Sequence, residues 1–307
     1  MSFETGSATD AAETGSTGDA TDATTGRERA DESTEAASVG VFSDLDAASL
    51  AYGAVGTTAF LVVWQLAAMA VGRTYLLPSP VEVATAFAVE LTAPATFTVP
   101  FVGVAVPATR LTANLAQSLL HYVPGLVVGS TLGVALGVAM GWSGRIDDAL
   151  TPVTRFLRPI PPLAWIVFAI VWIGIGHGGA AFIVGIGAFW INFYNAYAGV
   201  EGVSTHLKEV AASLGVDDDV TMIRKVILPA ATPSITTGLR TSIGQCWMIV
   251  VAAELFGAPG VGYQIINAAQ NLATDVSVAY MAVISLVFLV SDGAFRRVER
   301  RVLEWRE

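Results

Sequence analysis

The sequence has little of the chemistry that metal centres and disulfide frameworks need. It contains one cysteine, Cys246, and three histidines, His121, His177 and His206, among 307 residues. A single cysteine forms neither an internal disulfide nor a Cys-x-x-Cys metal site, and the histidines lack the spacing of zinc ligands. We therefore expect no metal site.

A nucleotide-binding loop is also missing from the sequence. No Gly-x-x-x-x-Gly-Lys-Ser/Thr segment occurs in the chain, and the glycine-rich turn at 257–263 does not have that spacing. Without this backbone cradle for phosphates, the chain does not hold ATP as a P-loop enzyme does. We expect it to bind no cofactor of its own.

Charge is scarce and unevenly distributed. Charged residues make up 14% of the chain and hydrophobic residues 53%, with a mean hydropathy of +0.61, which is typical of a membrane protein. Residues 1–46 carry eleven acidic residues against Arg27 and Arg29, so nearly all of the net charge of −10 lies there. This segment is rich in Ser, Thr, Ala and Gly, which predicts a disordered acidic cytoplasmic tail. The tail suits either a salt-rich cytoplasm or an ordinary low-complexity terminus, and we expect no nucleic-acid partner.

Six apolar windows approach the length of about 20 residues that a helix needs to cross a bilayer. They are 51–72, 117–142, 162–176, 180–200, 235–257 and 276–290. A further apolar stretch, 97–106, is too short to span and contains Pro100, so we expect an interfacial or re-entrant piece. The chain then divides into the tail (1–46), a first helix with an extracytoplasmic segment (47–110), a main transmembrane domain (111–298) and a cytoplasmic end (299–307).

The distribution of Lys and Arg predicts the orientation of these spans. With the tail inside, the outer segments hold only Arg73 and Arg110. The inner segments hold Arg145, Arg155, Arg158, Lys208, Arg224, Lys225, Arg296, Arg297, Arg300, Arg301 and Arg306. We therefore expect a multi-pass protein of the cell membrane, in contact with lipid, with both termini in the cytoplasm.

The second window contains a glycine at every fourth position. These are Gly125, Gly129, Gly133, Gly137 and Gly141. Small residues at this spacing let a neighbouring helix approach closely. The stripe predicts tight packing in a compact bundle rather than a substrate path.

The segment between the fourth and fifth windows is amphipathic and lies on the predicted cytoplasmic side. Ser204 and Thr205 favour a helix start, and Gly215 favours its end. A second short helix follows, with Asp217, Asp218 and Asp219 in its first turn, Arg224 and Lys225 in its last, and Val220, Ile223, Val226 and Ile227 on one face. We expect Pro229 to stop it. Residues 204–229 are called the knuckle below, and its apolar face needs a cover.

The knuckle resembles the EAA signature of ABC importer permeases. The matching residues are Glu209, Ala211, Gly215, Val226, Ile227, Leu228 and Pro229. Val210 stands where the signature usually has alanine, and the spacer after Gly215 is one residue longer than typical. Further segments resemble the sulfonate/nitrate/taurine branch: Leu77-Pro78-Ser79-Pro80, Pro161-Pro162-Leu163-Ala164-Trp165, Gly174-Ile175-Gly176, Asn195-Ala196-Tyr197-Ala198-Gly199-Val200, Ala253-Glu254-Leu255-Phe256-Gly257, Gly260-Val261-Gly262-Tyr263 and Asp292.

This resemblance implies an all-α membrane protein with six transmembrane helices, the type I ABC importer permease fold, and a cytoplasmic coupling helix knuckle. It implies a permease subunit that forms the pore for a small anionic solute like a sulfonate, nitrate or taurine. The chain is then not an enzyme, because a cytoplasmic ABC ATPase uses the ATP. The other implied partners are an extracytoplasmic substrate-binding protein and a second permease copy in a homodimer. The implied coupling residues are Glu209, Ala211, Gly215, Val226, Leu228 and Pro229.

Several polar or aromatic residues within the windows have two interpretations. Glu254 either acts at the outer mouth of the substrate path or makes a structural hydrogen bond. Asn192, Asn195, Gln245 and Trp247 either line the pore or serve helix packing.

Three further side chains have a single expected role. We interpret Arg240 as a snorkelling residue, and His121 and His177 as polar residues near the outer surface.

Two other classes of protein fit the sequence less well. An ATP-independent secondary transporter or channel would have charged coupling residues at mid-membrane. An intramembrane enzyme would have a buried catalytic constellation inside the spans. Neither feature is found, and neither class explains the knuckle.

Overall fold

The computed structural model describes residues 47–99 and 103–302. The predicted tail at 1–46 and most of the predicted cytoplasmic end at 299–307 lie outside these residues. Within the described residues, the chain divides into two compact units between Val62 and Val63. The α-helices are α1 Ala47–Val71, α2 Pro80–Thr92, α3 Arg110–Trp142, α4 Gly144–Leu157, α5 Ile166–Trp172, α6 His177–Glu201, α7 Thr205–Ser213, α8 Asp219–Met222, α9 Leu228–Glu254, α10 Val261–Gln270 and α11 Thr274–Val302.

Within the described residues, four helices are long and apolar enough to cross a membrane. They are Leu50–Val71, Arg110–Trp142, His177–Glu201 and Thr274–Arg301. A fifth span results if two consecutive pieces are counted as one. The first is α4, and the second is the 3₁₀ turn Pro162–Trp165 followed by α5; the angle between them is 88°. The fold is thus a predominantly helical membrane bundle, as expected.

The glycine stripe packs α3 against α6, which confirms its predicted role. A Cβ atom at Gly137 would lie 2.5 Å from the carbonyl oxygen of Phe193, and one at Gly129 or Gly133 would contact the carbonyl oxygen of Gly185 or Phe189. Each partner lies 56 residues further along the chain, so the two helices run parallel. Residues 143–176 must therefore return the chain across the membrane, which supports the third span.

Helix α9 runs antiparallel to both α6 and α11. The contacts that show this are Gly187 with Ile249, Asn195 with Gly238, Gly199 with Ser234, Gly244 with Phe288 and Arg240 with Asp292. Since α9 lies along two spanning helices, it crosses with them, which accounts for the fifth predicted span. Its lower hydropathy comes partly from threonines, and Thr232, Thr236, Thr237 and Thr241 each donate to the backbone carbonyl four residues earlier. These bonds satisfy the hydroxyl groups within the helix.

The described ends of the stretch at 97–106 belong to a β-hairpin, in which β1 Pro94–Thr98 pairs antiparallel with β2 Ala105–Thr109. An interfacial or re-entrant position for this stretch stays a prediction. Threonine, valine and phenylalanine favour extended backbone, and a two-stranded sheet has edges on which Pro107 tolerates its missing N–H. The hairpin leads directly into α3, where the Thr109 side chain caps the helix by accepting from the Thr112 N–H.

Candidate functional site

The first helix of the knuckle is fixed at both ends by the predicted residues. The Ser204 side chain accepts a hydrogen bond from the Leu207 N–H at the start of α7. At its end Gly215 adopts φ +87°, and the Val216 N–H donates to the Ala211 carbonyl over 3.1 Å. Positive φ costs glycine little, because it has no Cβ. Nothing lies within 4 Å of the Cβ position of Gly215, so this turn faces open space in the isolated chain.

The second helix of the knuckle does not stop at Pro229. The Asp218 carboxylate accepts from the Thr221 N–H over 2.8 Å, and this bond holds the pKa of Asp218 below its ordinary value. A π-helical turn, Ile223–Ile227, then leads into α9 with Pro229 in the first turn. The wider turn accommodates a proline that has no N–H to donate, so the helix passes directly into the fifth span. The prediction that Pro229 ends the helix is wrong for this reason.

The apolar residues of the knuckle divide into a buried and an exposed group. Ala211, Met222 and Ile227 pack on Val200, Val203 and Ala231, at the end of α6 and the start of α9. The predicted common face does not hold at Val220, whose side chain points outward and is 73% exposed. Leu214 is 80% exposed, and Leu207 and Val210 are also exposed. The buried group fixes the knuckle to the two helices, and the exposed group forms an uncovered apolar surface.

The predicted coupling residues fall on both sides of this division. Glu209, Gly215 and Pro229 are exposed, Ala211 is buried, and Val226 and Leu228 are half-buried. The sequence analysis did not single out Leu214. Its position directly before the glycine was the available signal, because the residue beside a helix-ending glycine lies at the tip of the turn.

Glu254 is the centre of a buried polar cluster at the opposite end of the bundle. The Glu254 and His121 side chains are fully buried, and Glu254 Oε1 lies 2.9 Å from His121 Nδ1. Glu254 Oε2 accepts from the Gly262 N–H over 2.7 Å, and His121 Nε2 lies 2.7 Å from His177 Nδ1. A side chain at Gly260 would collide with the carboxylate. His121, His177 and Glu254 are called the Glu254 cluster below.

The Glu254 cluster joins α3, α6, α9 and the start of α10. His121, which we interpreted as a polar residue near the outer surface, has a fully buried side chain that contacts Glu254 and His177. A structural hydrogen bond therefore explains the burial of Glu254. In the part of the chain that the structure describes, no group of three or more His, Cys, Asp or Glu side chains is placed to hold a metal ion.

Replacing His121 with alanine is expected to lower the stability of the bundle by about 3 kcal/mol or more. The change leaves a buried carboxylate with one hydrogen-bond partner fewer and opens a cavity. Thermal unfolding of the purified protein in detergent measures the effect. His206→Ala, on the exposed surface of the knuckle, is the control and should unfold like the parent; equal unfolding temperatures for both variants would contradict a structural role for the cluster.

Of the other pore candidates, Asn192 and Asn195 both lie beside Gly238. Trp247 is buried and stacks on Tyr122 with ring centroids 4.3 Å apart. Asn192 is buried and donates to the Ser130 hydroxyl and the Ala188 carbonyl. Asn195 is half-buried and Gln245 is exposed. A pore-lining role for these residues stays a prediction.

Arg240 is more than a snorkelling residue, since it makes a specific ionic contact. Its Nε donates to Asp292 on α11 over 3.2 Å, and Arg296 contacts the other oxygen of the same carboxylate. This ion pair joins α9 to α11 near the knuckle end of the bundle.

Comparison with known proteins gives one family match. The model of the family described as binding-protein-dependent transport system inner membrane component matches residues 129–304. This range contains the knuckle and all of α6, α9 and α11 up to Val302.

Three curated relatives are similar over most of their length. A putative ABC transporter permease protein of Methanocaldococcus jannaschii is 35% identical over 249 residues, which cover 80% of this chain and 89% of the relative. A putative aliphatic sulfonates transport permease protein of Bacillus subtilis is 31% identical, covering 80% and 84%. A nitrate import permease protein of Synechocystis is 33% identical, covering 81% and 88%. The resemblance to the sulfonate/nitrate/taurine branch is thus confirmed.

A solved structure supports the fold. A chain of an inward-facing methionine ABC transporter matches with a TM-score of 0.54 at 20% identity, covering 62% of this chain and 95% of that one. This likeness confirms the architecture of the bundle.

Proposed function

Because this chain belongs to the binding-protein-dependent family of ABC importer permeases, we propose that it forms half of a pore for a small anionic solute and is driven by a separate ATPase docked on the knuckle. The family membership makes it a transport subunit and a multi-pass membrane protein. The names of the sulfonate and nitrate relatives support a small anion as the solute. A second copy completes the pore, and an extracytoplasmic binding protein delivers the solute.

The uncovered apolar surface of the knuckle is the observation that carries this proposal. Leu214 and Val220 flank the Gly215 turn and expose most of their surface. A soluble loop at a membrane surface gains nothing from such exposure, since each side chain loses roughly 1.5–3 kcal/mol of burial energy. A cleft in a partner protein provides that burial. Arg224 and Lys225 lie on the same segment and are also exposed.

The geometry of the bundle supports mechanical coupling between knuckle and pore. Ile227 is fully buried, and the helix continues from it into α9 without a break. A force on the knuckle therefore acts directly on a spanning helix. ATP-driven closure of two ATPase subunits draws two knuckles together and turns the pore outward, and hydrolysis returns it inward.

Reconstituted transport tests the proposal. Proteoliposomes that contain the chain, its ATPase and the liganded binding protein should accumulate solute only with ATP inside the compartment that the knuckle faces. An ATPase variant unable to hydrolyse ATP is the control and should give no accumulation. Solute uptake at the same rate without any ATPase would instead favour a secondary transporter or channel.

The knuckle is expected to face the cytoplasm, and single cysteines test this orientation. In a Cys246→Ala background, cysteines at Ser143 and Ser204 should react only with reagents that enter the cell, and one at Asn271 should react from outside. The parent cysteine is fully buried. Its removal leaves the introduced cysteine as the only thiol of the chain. The basic residues at the knuckle end supply the physical reason. Reversed accessibility would contradict the orientation.

A further inference from the structure

A polar cavity lies at the end of the bundle opposite the knuckle. Its volume is about 460 Å³, and α2, the hairpin, the start of α3, α10 and α11 enclose it. Polar residues that line it include Glu90, Arg110, Asn114, Gln117, Gln264 and Tyr280. The size is typical of small-molecule sites. A cavity lined by charged and amide groups in a protein this apolar calls for a polar occupant.

One wall of the cavity is an ordered chain of hydrogen bonds that ends on Glu90. Gln264 donates to Asn114 over 3.3 Å, Asn114 donates to the Tyr280 hydroxyl over 2.9 Å, and Tyr280 donates to Glu90 Oε2 over 2.7 Å. Glu90 and Tyr280 are buried, so the carboxylate is held in one position. Each of these three hydrogen bonds is donated in the direction of Glu90, so its carboxylate is the terminal acceptor of the series.

One acceptor at the cavity lacks an adequate donor. Glu90 Oε1 has only a long contact of 3.4 Å to Arg110 Nη1. A carboxylate oxygen with so weak a donor favours a ligand or ordered water that donates to it.

Arg110 provides the opposite charge at the same cavity. Its side chain is 58% exposed and its contact to Glu90 is long, so the pair separates at little cost. The guanidinium has five N–H donors, and most of them remain available for an anionic group. The cavity therefore presents a fixed carboxylate beside a movable cation.

We propose that this cavity binds a small zwitterionic solute, with its ammonium group on Glu90 and its anionic group on Arg110. The ammonium donates to Glu90 Oε1, and the anion takes the released guanidinium. Ordered water fills the remaining volume. The orientation proposed above places the opening of the cavity outside the cell. The proposed binding does not depend on that orientation.

Equilibrium binding to the purified full-length chain in lipid nanodiscs tests the site. The probes are radiolabelled β-alanine and taurine, which carry both charges. Propionate, ethanesulfonate and propylamine are competitors that each carry one charge. At least one zwitterion should bind saturably, and each competitor should be at least about tenfold weaker. No saturable binding of either zwitterion, or equally strong single-charge competitors, would overturn the proposal.

Matched variants assign the binding to this cavity. Arg110→Gln and Glu90→Gln should each weaken zwitterion binding at least about tenfold. Arg73→Gln, at the other arginine of this end but outside the cavity, should bind like the parent. Arg110 is largely exposed, so its variant should fold even where the Glu90 variant does not. An equal loss in Arg73→Gln, or none in Arg110→Gln, would refute the site. The assay contains no ATPase, so failure of this proposal would not bear on the proposed coupling to an ATPase.

Discussion

Gly215→Leu is expected to abolish co-purification of the chain with its ATPase and the stimulation of ATP hydrolysis by the liganded binding protein. The backbone at Gly215 has φ +87°, where a branched side chain costs on the order of 1 kcal/mol. The Cβ position faces open space in this chain, so the bulk of leucine meets nothing until a partner approaches. Insertion and abundance should therefore stay nearly normal. Affinity pull-down and ATP hydrolysis in proteoliposomes measure the effect.

One further variant separates strain from bulk at this turn, and a second tests the charge on α7. Gly215→Asn places a residue that tolerates positive φ, so it should retain more coupling than leucine. Glu209→Ala removes an exposed charge and should give intermediate coupling. If the leucine variant binds the ATPase and transports like the parent, the knuckle is not the coupling element.

Gly129→Ala is expected to destabilise the bundle by about 3 kcal/mol, the largest stability effect of any single added methyl group in the stripe. The new Cβ would collide with the backbone of Gly185, which cannot rotate away as a side chain does. The two helices would have to separate, with loss of packing along the stripe. The loss of stability is measured by heating the purified protein in detergent and determining, by size-exclusion chromatography, the fraction that remains folded.

Gly293→Ala in α11 is the matched control. Nothing lies within 4 Å of its Cβ position, and alanine favours a helix over glycine by about 0.5–1 kcal/mol. This variant should therefore be as stable as the parent or slightly more stable. Equal destabilisation in both variants would show that helix propensity or expression, and not close contact between α3 and α6, decides the outcome.

Local signals in the sequence were sufficient for the main features of the bundle and the knuckle. The repeat from Gly125 to Gly141 predicted close packing against a neighbouring helix, because periodicity fixes which residues share a helix face; the structure shows that this helix is α6. Ser204 and Gly215 predicted the ends of α7, since capping depends on the residue and its immediate neighbours.

Features that depend on distant residues or on competing backbone preferences were not predicted. His121 and Glu254 are 133 positions apart, so only the packing of α3 against α9 brings them together. A proline usually ends a helix, but the π turn before Pro229 accommodates it. The hairpin was missed because a short apolar segment with prolines fits an interfacial piece and a pair of edge strands equally well.

The contact between the knuckle and the ATPase is the central claim, and photo-crosslinking measures it most directly. A photoreactive phenylalanine analogue at Leu214, the most exposed apolar residue of the knuckle, should crosslink to the ATPase in membranes that contain the assembled transporter. The same analogue at Val106, an exposed residue of the hairpin at the other end, should not. A crosslink at Leu214 alone is the predicted result; no crosslink at Leu214 in an assembled, transporting complex, or a crosslink to the ATPase from Val106, would contradict the account.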